Sequence, residues 1–214
     1  AKAFIHAPVA VVGAGRTDAG VHATGQAAHI DVPEKFTANR VMEALNAHLS
    51  SVPVTIQGAS EVPGDFHARF SAIGRRYLYR ILPRRQPPAL EAGRVWHHKH
   101  KLDAELMASA AKHLLGRHDF TSFRASQCQA ESSLRTLDRL DIETRGDEIH
   151  IHAEARSFLH HQVRNITGTL AFVGAGKWHP DNVKTALEAV NRSAAGPTAP
   201  AHGLYLVGVD YPTI

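Results

Sequence analysis

Chemistry is concentrated most densely in Gly13-Ala14-Gly15-Arg16-Thr17-Asp18-Ala19-Gly20-Val21-His22. An arginine and an aspartate stand two apart with glycine on both sides. Glycine lets the backbone turn sharply and lets a ligand come close, and a loop between two strands is a common seat for reacting groups. Two nucleotide-binding patterns fail here. Gly13 and Gly15 supply the first two glycines of a dinucleotide fingerprint, but Asp18 occupies the third position. Gly15 and Gly20 have the spacing of a phosphate loop, but Val21-His22 stands where Lys-Ser/Thr would hold phosphate and magnesium. What is left is a carboxylate able to serve as nucleophile or base, or an aspartate that merely bonds its own backbone in a turn.

The other reactive side chains carry less. Sixteen histidines raise the question of a metal. His97, His98 and His100, or His150 and His152, could bring two rings together. No cysteine pair or His-Glu-x-x-His helix accompanies them, so no metal site is expected. The single cysteine, Cys128, has no nucleophile context and reads as a packed or surface thiol. No Gly-x-Ser-x-Gly elbow supports a serine hydrolase.

The 214 residues suit one large domain or two small ones sharing a core, and 43% hydrophobic residues argue against a disordered chain. A formal net charge of +4 permits an acidic partner such as nucleic acid without requiring one. One cysteine allows no internal disulfide, which fits a reducing compartment. No apolar stretch reaches the length of a membrane span, and Ala1–His6 lacks the apolar core of a signal peptide. The expectation is a cytoplasmic protein with no membrane partner.

The elements that must position the loop follow from periodicity. Val9–Val12 reads as a short buried strand before the loop, and Thr24–Asp31 as a second strand after it. Thr37 is a plausible N-cap for a helix over Ala38–Leu49. Val54–Ala59 is a strand candidate between prolines. Ile73–Leu82 alternates, with Arg76, Leu78 and Arg80 on one face and Tyr77, Tyr79 and Ile81 on the other. Pro83–Gly93 forms a loop, and Asp103 caps a helix running to Leu115, stopped by Gly116. Leu134–Thr144 and Glu148–Arg156 suggest a hairpin, although Leu134, Leu137 and Leu140 also fit a helix. A helix from about Phe158 to Val173 carries the stripe Leu159, Val163, Ile166, Leu170 and Val173. Another opens at Pro180 or Asp181 and runs to about Asn191. A polar Ala/Gly/Pro loop and a last strand, Gly203–Tyr211, complete the chain. Strands and helices mix without a βαβ rhythm, which favours an α+β sheet with helices on one face. The order strand, helix, strand occurs in both halves.

Four ordered blocks carry a resemblance. Gly15-Arg16-Thr17-Asp18-Ala19-Gly20-Val21-His22-Ala23 with Gly25-Gln26 resembles the signature loop of the tRNA pseudouridine synthase A family. Phe66-His67-Ala68-Arg69-Phe70-Ser71-Ala72 with Arg76-Tyr77-Leu78-Tyr79-Arg80 is similar to its second motif. Ser157-Phe158-Leu159-His160-His161-Gln162-Val163-Arg164-Asn165-Ile166 with Gly168 resembles its third. Gly203-Leu204-Tyr205-Leu206 and Val209-Asp210-Tyr211-Pro212 resemble its closing strand. The blocks span nearly the whole chain in the family's order.

The resemblance implies a pseudouridine synthase fold: a mixed, mainly antiparallel central sheet with flanking helices and two similar halves. Residues 1–100 would form the N-terminal half with the Asp18 loop, residues 101–214 the C-terminal half, and the two would share one catalytic cleft. Family members begin with a strand and a helix before the loop. Only the end of that helix, Ala1–Ile5, is recognised here, so the first strand is missing and a shortened chain is expected. The implied reaction is isomerisation of uridine to pseudouridine in the tRNA anticodon stem-loop, at tRNA positions 38, 39 and 40, by a homodimer. It needs neither metal nor organic cofactor.

The resemblance also implies the roles. Asp18 is the catalytic carboxylate and Arg164 the cation that keeps it ionised, since a buried aspartate resists ionisation without one. Arg164 flanks the apolar stripe of its helix, and Gly168, one turn later on the same column, leaves room beside it. Tyr77 would stack on the uracil and could assist proton transfer. Periodicity alone cannot separate it from Tyr79. Leu204 would wall the base pocket, or is an ordinary core leucine. The target nucleotide must leave its stack, and Arg16 would steady the flipped state. Arg69, Arg75, Arg76, Arg80, Arg84 and Arg85 form a candidate track for the tRNA backbone, or a solvated face. His160-His161 would pack or bond near the site. A rival reading is a shortened or inactive form that grips tRNA without reacting. Another is a related synthase acting on a different RNA.

Overall fold

The computed structural model describes Ile5 and residues 8–213. The helix end expected at Ala1–Ile5 lies, apart from Ile5, outside the described residues. The chain packs as two compact units. One comprises residues 1–15, 27–72 and 211–214, the other residues 16–26 and 73–210. A division near residue 100 would fall inside the second unit.

In the first unit, β1 (Val12–Gly13) pairs antiparallel with β3 (Ala28–His29). Both strands are shorter than the expected Val9–Val12 and Thr24–Asp31, and Val11 is 67% exposed. An apolar run on an unburied edge has no core to hold it as a strand. Helix α1 (Ala38–Leu49) forms as expected, with Val41 buried, although the Thr37 side chain makes no cap hydrogen bond. Val54–Ala59 is not a strand. Its Ile56 is held by one side chain instead: Asn46 Nδ2 donates to Ile56 O at 2.9 Å, and Ile56 N donates to Asn46 Oδ1 at 2.8 Å. The amide imitates the two bonds of a strand partner.

In the second unit a seven-stranded sheet has the order β2-β9-β4-β8-β7-β6, with β5 also on β4. The strands are β2 (His22–Ala23), β4 (Gly74–Pro83), β5 (Trp96–His98), β6 (Gly116–Asp119), β7 (Leu134–Arg145), β8 (Glu148–Ala155) and β9 (Leu204–Asp210). Pairs β4–β8, β4–β9, β6–β7 and β7–β8 are antiparallel, while β2–β9 and β4–β5 are parallel. The sheet is therefore mixed and mainly antiparallel. The ambiguous Leu134 segment is a strand: its pairing with β8 puts Leu137 and Leu140 opposite Ala155 and Ala153. β5 and β6 were not expected from the sequence. Each is short, and pairing with an existing strand defines it.

Helices α2 (Ala104–Ala111), α3 (Gln162–Gly174) and α4 (Asp181–Glu188) complete this unit. Asp103 caps α2 by accepting from the N–H groups of Glu105 and Leu106. A 3₁₀ turn, Lys112–Leu114, ends that helix before Gly116, whose φ is +89°. The core lies on one face of the sheet, where Tyr79, Ile81, Ile151 and Ala153 meet Met107, Val163, Ile166, Leu170 and Val183. The other face carries Arg80, Glu148, His150 and His152 in ion pairs.

Helix α3 starts four residues later than its apolar stripe suggested. His161 sits in the left-handed region (φ 63°), which breaks any winding through Phe158–His161. Gln162 stabilises the break. Its Oε1 accepts from Leu159 N at 2.8 Å, and its own N–H donates to Leu159 O at 3.0 Å. The residues before the helix thus become a turn that projects both histidines. Helix α4 likewise ends short of Asn191, with Val190 at φ 48°. Among the described residues no helix is long and apolar enough to cross a membrane.

Candidate active site

Asp18 opens a tight turn. Val21 N donates to Asp18 O at 3.0 Å, and Gly20 occupies the third turn position at φ +83°, a conformation that selects glycine. The chain then enters β2, where His22 and Ala23 pair with Tyr205 and Leu206 of β9. Thr24 N continues the ladder by donating to Leu206 O at 2.9 Å. Strand pairing immediately after the turn fixes the carboxylate relative to the sheet.

Three side chains from the start of α3 and the turn before it converge on that carboxylate. Arg164 Nη1 donates to Asp18 Oδ2 at 2.6 Å. His160 Nε2 lies 3.0 Å from Oδ1, and His161 Nε2 lies 3.0 Å from Oδ2. The imidazole rings sit 4.0 Å apart. Asp18 is about a quarter exposed and Arg164 14% exposed, so the pair is sheltered yet reachable. Burial is the largest single influence on the Asp18 carboxyl and pushes its pKa up. The Arg164 hydrogen bond, the charge of His161, the His160 hydrogen bond and the charge of Arg164 together outweigh it, and the net pKa falls below that of an ordinary aspartate. Burial also pushes His161 below the usual imidazole value, despite the attraction of Asp18. At neutral pH Asp18 is therefore an anion facing the Arg164 guanidinium.

Arg164 is itself held. Its Nε donates to Ala199 O at 2.8 Å, and Ala199 N returns a bond to Arg164 O at 3.1 Å. Ala199 belongs to the Ala/Gly/Pro segment that reads in sequence as a plain loop. In the structure it is a strap packed on α3. A Cβ on Gly168 would lie 1.7 Å from Pro197 O, and one on Gly196 would lie 2.8 Å from Thr169 Cα. Only two glycines allow backbones to approach this closely. Asn165 fastens the strap: its Oδ1 accepts from Thr198 Oγ1 at 2.6 Å and Arg192 Nη2 at 3.1 Å, while its Nδ2 donates to Phe123 O at 2.8 Å. Arg192 Nη1 also donates to Gly196 O at 2.9 Å. Sequence reading singled out none of Asn165, Arg192 or Thr198. The available signal was Gly168 facing a segment with its own Gly-Pro.

The structure separates the two tyrosines that periodicity could not. Tyr79 is fully buried, and its hydroxyl donates to Pro200 O at 2.7 Å. Tyr77, two residues back along the same face, is half-buried and packs edge-on against Phe158 at 5.1 Å. Burial raises its pKa most, Arg75 opposes this and Asp18 adds to it, so Tyr77 stays protonated and lies within the electrostatic reach of Asp18. Leu204, opposite Tyr79 on β9, is 7% exposed and part of the core.

Members of the anticipated arginine track have different partners. Arg16 is exposed beside Asp18 in sequence. Arg75 Nη1 donates to Arg156 O at 2.6 Å and influences Tyr77. Arg76 pairs with Asp210 at 3.0 Å, and Arg84 with Asp147 at 2.6 Å. Arg80 is gripped by Glu148 through two bonds and pairs with Glu91 at 2.8 Å. Its charge is neutralised on the sheet face opposite Tyr77. Arg69 lies in the first unit with its guanidinium over Phe70, and Arg85 is exposed.

A family model described as tRNA pseudouridine synthase matches residues 110–212. The tRNA pseudouridine synthase A of Paramagnetospirillum magneticum is 58% identical over 204 residues, 95% of this chain and 80% of that protein. That of Caulobacter vibrioides is 57% identical over 210 residues, covering 98% and 85%. That of Rhodospirillum rubrum is 57% identical over 202 residues, covering 94% and 73%. This chain belongs to the tRNA pseudouridine synthase A family. The family model alone begins at residue 110, after Asp18 and Tyr77, whereas the three synthases match along nearly the full chain. In this member of the family the carboxylate, its arginine and both histidines meet at one point.

Proposed function

We propose that this protein isomerises uridine to pseudouridine in tRNA, with Asp18 as the reacting carboxylate. The observation that carries this reading is the 2.6 Å pairing of Asp18 with Arg164 across 146 residues of sequence, in a chain of this family. The reaction breaks the bond between C1′ of the ribose and N1 of uracil, turns the base, joins C1′ to C5, and removes the C5 proton while N1 takes one up. A carboxylate that is anionic at neutral pH can attack as a nucleophile or accept that proton. Arg164 supplies the ionisation and fixes the rotamer. Tyr77 offers its ring to the uracil near Asp18, and Leu204 backs that wall. Arg16 steadies the nucleotide once it has left the stack, and Arg75 offers the nearest positive charge to the backbone. Arg76 extends that contact, Arg69 offers a charge on the first unit, and Arg80 acts within the sheet.

The finer reading follows the family. The target uridines are those at tRNA positions 38, 39 and 40, and the enzyme works in the cytoplasm as a homodimer. A single cleft draws Asp18 and Tyr77 from the first hundred residues and Arg164 and Leu204 from the rest.

The deciding experiment is mapping of pseudouridine in tRNA after incubation with the protein and with its Asp18→Asn variant. The wild type should convert uridines in the anticodon stem-loop. The variant should convert none while binding tRNA with affinity within about threefold, because only one charge changes. Conversion by the variant at the wild-type rate removes Asp18 from the mechanism. Binding by the wild-type protein without conversion identifies it as a tRNA-binding form instead.

A further inference from the structure

On the sheet face away from the helices, β7 and β8 bring a second carboxylate and two more histidines together. His150 and His152 are two apart on β8 and so project from the same face. Glu143 of β7 is the direct cross-strand partner of His150. One ligand atom from each of Glu143, His150 and His152 can be chosen so that all lie within 4.8 Å of one another. A tetrahedral zinc site, with ligands about 2.0–2.2 Å from the ion, needs separations of about 3.4 Å between ligand atoms. Small side-chain rotations close that difference.

His150 provides the sharper argument. Its Nε2 lies 2.9 Å from Glu148 Oε2. A carboxylate accepts a hydrogen bond, so the Nε2 N–H is turned to Glu148 and Nδ1 is the ring nitrogen left over. That Nδ1 is buried and has no hydrogen-bond partner. A buried ring nitrogen without a partner is costly, and a bound cation would satisfy it. A histidine that gives one ring N–H to a carboxylate and keeps its other nitrogen free has the arrangement typical of a metal ligand with its supporting acid. Here that acid is in turn fixed by the two bonds from Arg80. His152 Nε2, 3.0 Å from Glu143 Oε1, joins the remaining two groups.

We propose that Glu143, His150 and His152 form a binding site for one divalent transition-metal ion of the zinc class, with solvent as the fourth ligand. The site lies outside the isomerisation chemistry and steadies the β7–β8 hairpin. The reasons for expecting no metal were the lack of a cysteine pair and of a His-Glu-x-x-His helix. Both are patterns within one segment, and neither detects a ligand supplied across a hairpin.

The test is calorimetric titration of the chelator-treated, full-length protein with zinc chloride, together with the visible spectrum after cobalt(II) is added. Expected are one zinc ion per chain, a rise in thermal midpoint with zinc, and the intense absorption of a tetrahedral cobalt site. His152→Ala and Glu143→Gln should each weaken zinc binding at least tenfold and abolish the cobalt bands, with midpoints in chelator near wild type. Asp18→Asn should bind as wild type does. Absence of binding by the wild-type protein overturns the proposal. So does unchanged binding in both hairpin variants, or loss of binding in Asp18→Asn, which would move the ion to the Asp18 cluster.

Discussion

Two clusters in this molecule contain the same residue types. Each has one carboxylate and two histidines with ligand atoms within 4.8 Å: Asp18 with His160 and His161, and Glu143 with His150 and His152. They differ in the cation that reaches the carboxylate. Asp18 receives Arg164, which is 14% exposed and anchored through Nε to Ala199 O. Glu143 receives Arg145 at 2.7 Å, which is 64% exposed and stands at the end of a hairpin. A surface pair of the second kind contributes little and yields readily. A sheltered, hydrogen-bonded guanidinium does not. The comparison teaches that residue type does not set the chemistry of such a cluster. What sets it is whether the fold itself holds a positive charge against the acid. Where it does, the acid is held as a fixed anion. Where it does not, a metal ion can take the place of the arginine.

The largest effect should come from making the first cluster like the second. Arg164→Met removes two of the influences that lower the Asp18 pKa and leaves burial, the largest, to raise it. The rate of pseudouridine formation at pH 7 should fall by about 100-fold or more. The acid limb of the pH–rate profile should also move to higher pH. The sign follows from the wild type. A carboxyl with a depressed pKa is ionised throughout the neutral range and protonates only as pH falls below the ordinary aspartate region, and the stability it contributes is lost over that same fall. A profile from Arg164→Met that overlays the wild type would show that the arginine does not control the acid.

A smaller effect should follow from loosening the support while leaving the pair in place. Asn165→Ala strips Thr198 and Arg192 of a shared acceptor and Phe123 O of a donor. The strap that offers Ala199 O to Arg164 then loses its fastening. The expected result is a roughly tenfold lower kcat with little change in KM for tRNA, the mark of a displaced reacting group rather than weaker binding. Thermal stability should drop by about 1–3 kcal/mol, since buried polar groups lose partners. Gly168→Ala reaches the same strap by crowding, because the obstructing atoms at Pro197 are backbone and cannot swing aside. A cost of about 1–3 kcal/mol in denaturant unfolding is expected. A variant as stable and active as wild type would show that the strap tolerates displacement without consequence to Asp18.

These residues also mark how far the sequence could be read. The Asp18 loop, the alternation of β4, the β7–β8 hairpin and the stripe on α3 were legible because each is a local pattern: glycine spacing, period two, a turn, period 3.6. Val9–Val12 reads as too long a strand and Val54–Ala59 as a strand that does not form for the same reason, since apolar character is local but a strand needs a partner. The start of α3 was misplaced because a left-handed His161 leaves no trace in hydrophobic periodicity. Arg164 was found through the third motif, but its anchor was not, because Ala199 contributes only a carbonyl and a backbone atom has no sequence signature. Tyr77 and Tyr79 share a face, and the full burial of Tyr79 with its bond to Pro200 separates them.

The smallest effect should come from Arg145→Ala, the counterpart in the second cluster of the Arg164 change. The side chain is 64% exposed and bonds an acid that is itself 42% exposed. Removing it leaves no buried group unpaired, so the thermal midpoint should move by less than about 2 °C and pseudouridine formation should be unchanged. Zinc affinity should rise about threefold, because the guanidinium no longer occupies Glu143 Oε1 or repels an incoming cation. The two arginine variants therefore respond in opposite senses. One disarms an acid by losing a cation built into the fold, and the other frees an acid by losing a cation that only visits it. If Arg145→Ala slowed isomerisation as Arg164→Met does, the two clusters would be coupled, and the distinction drawn between them would fail.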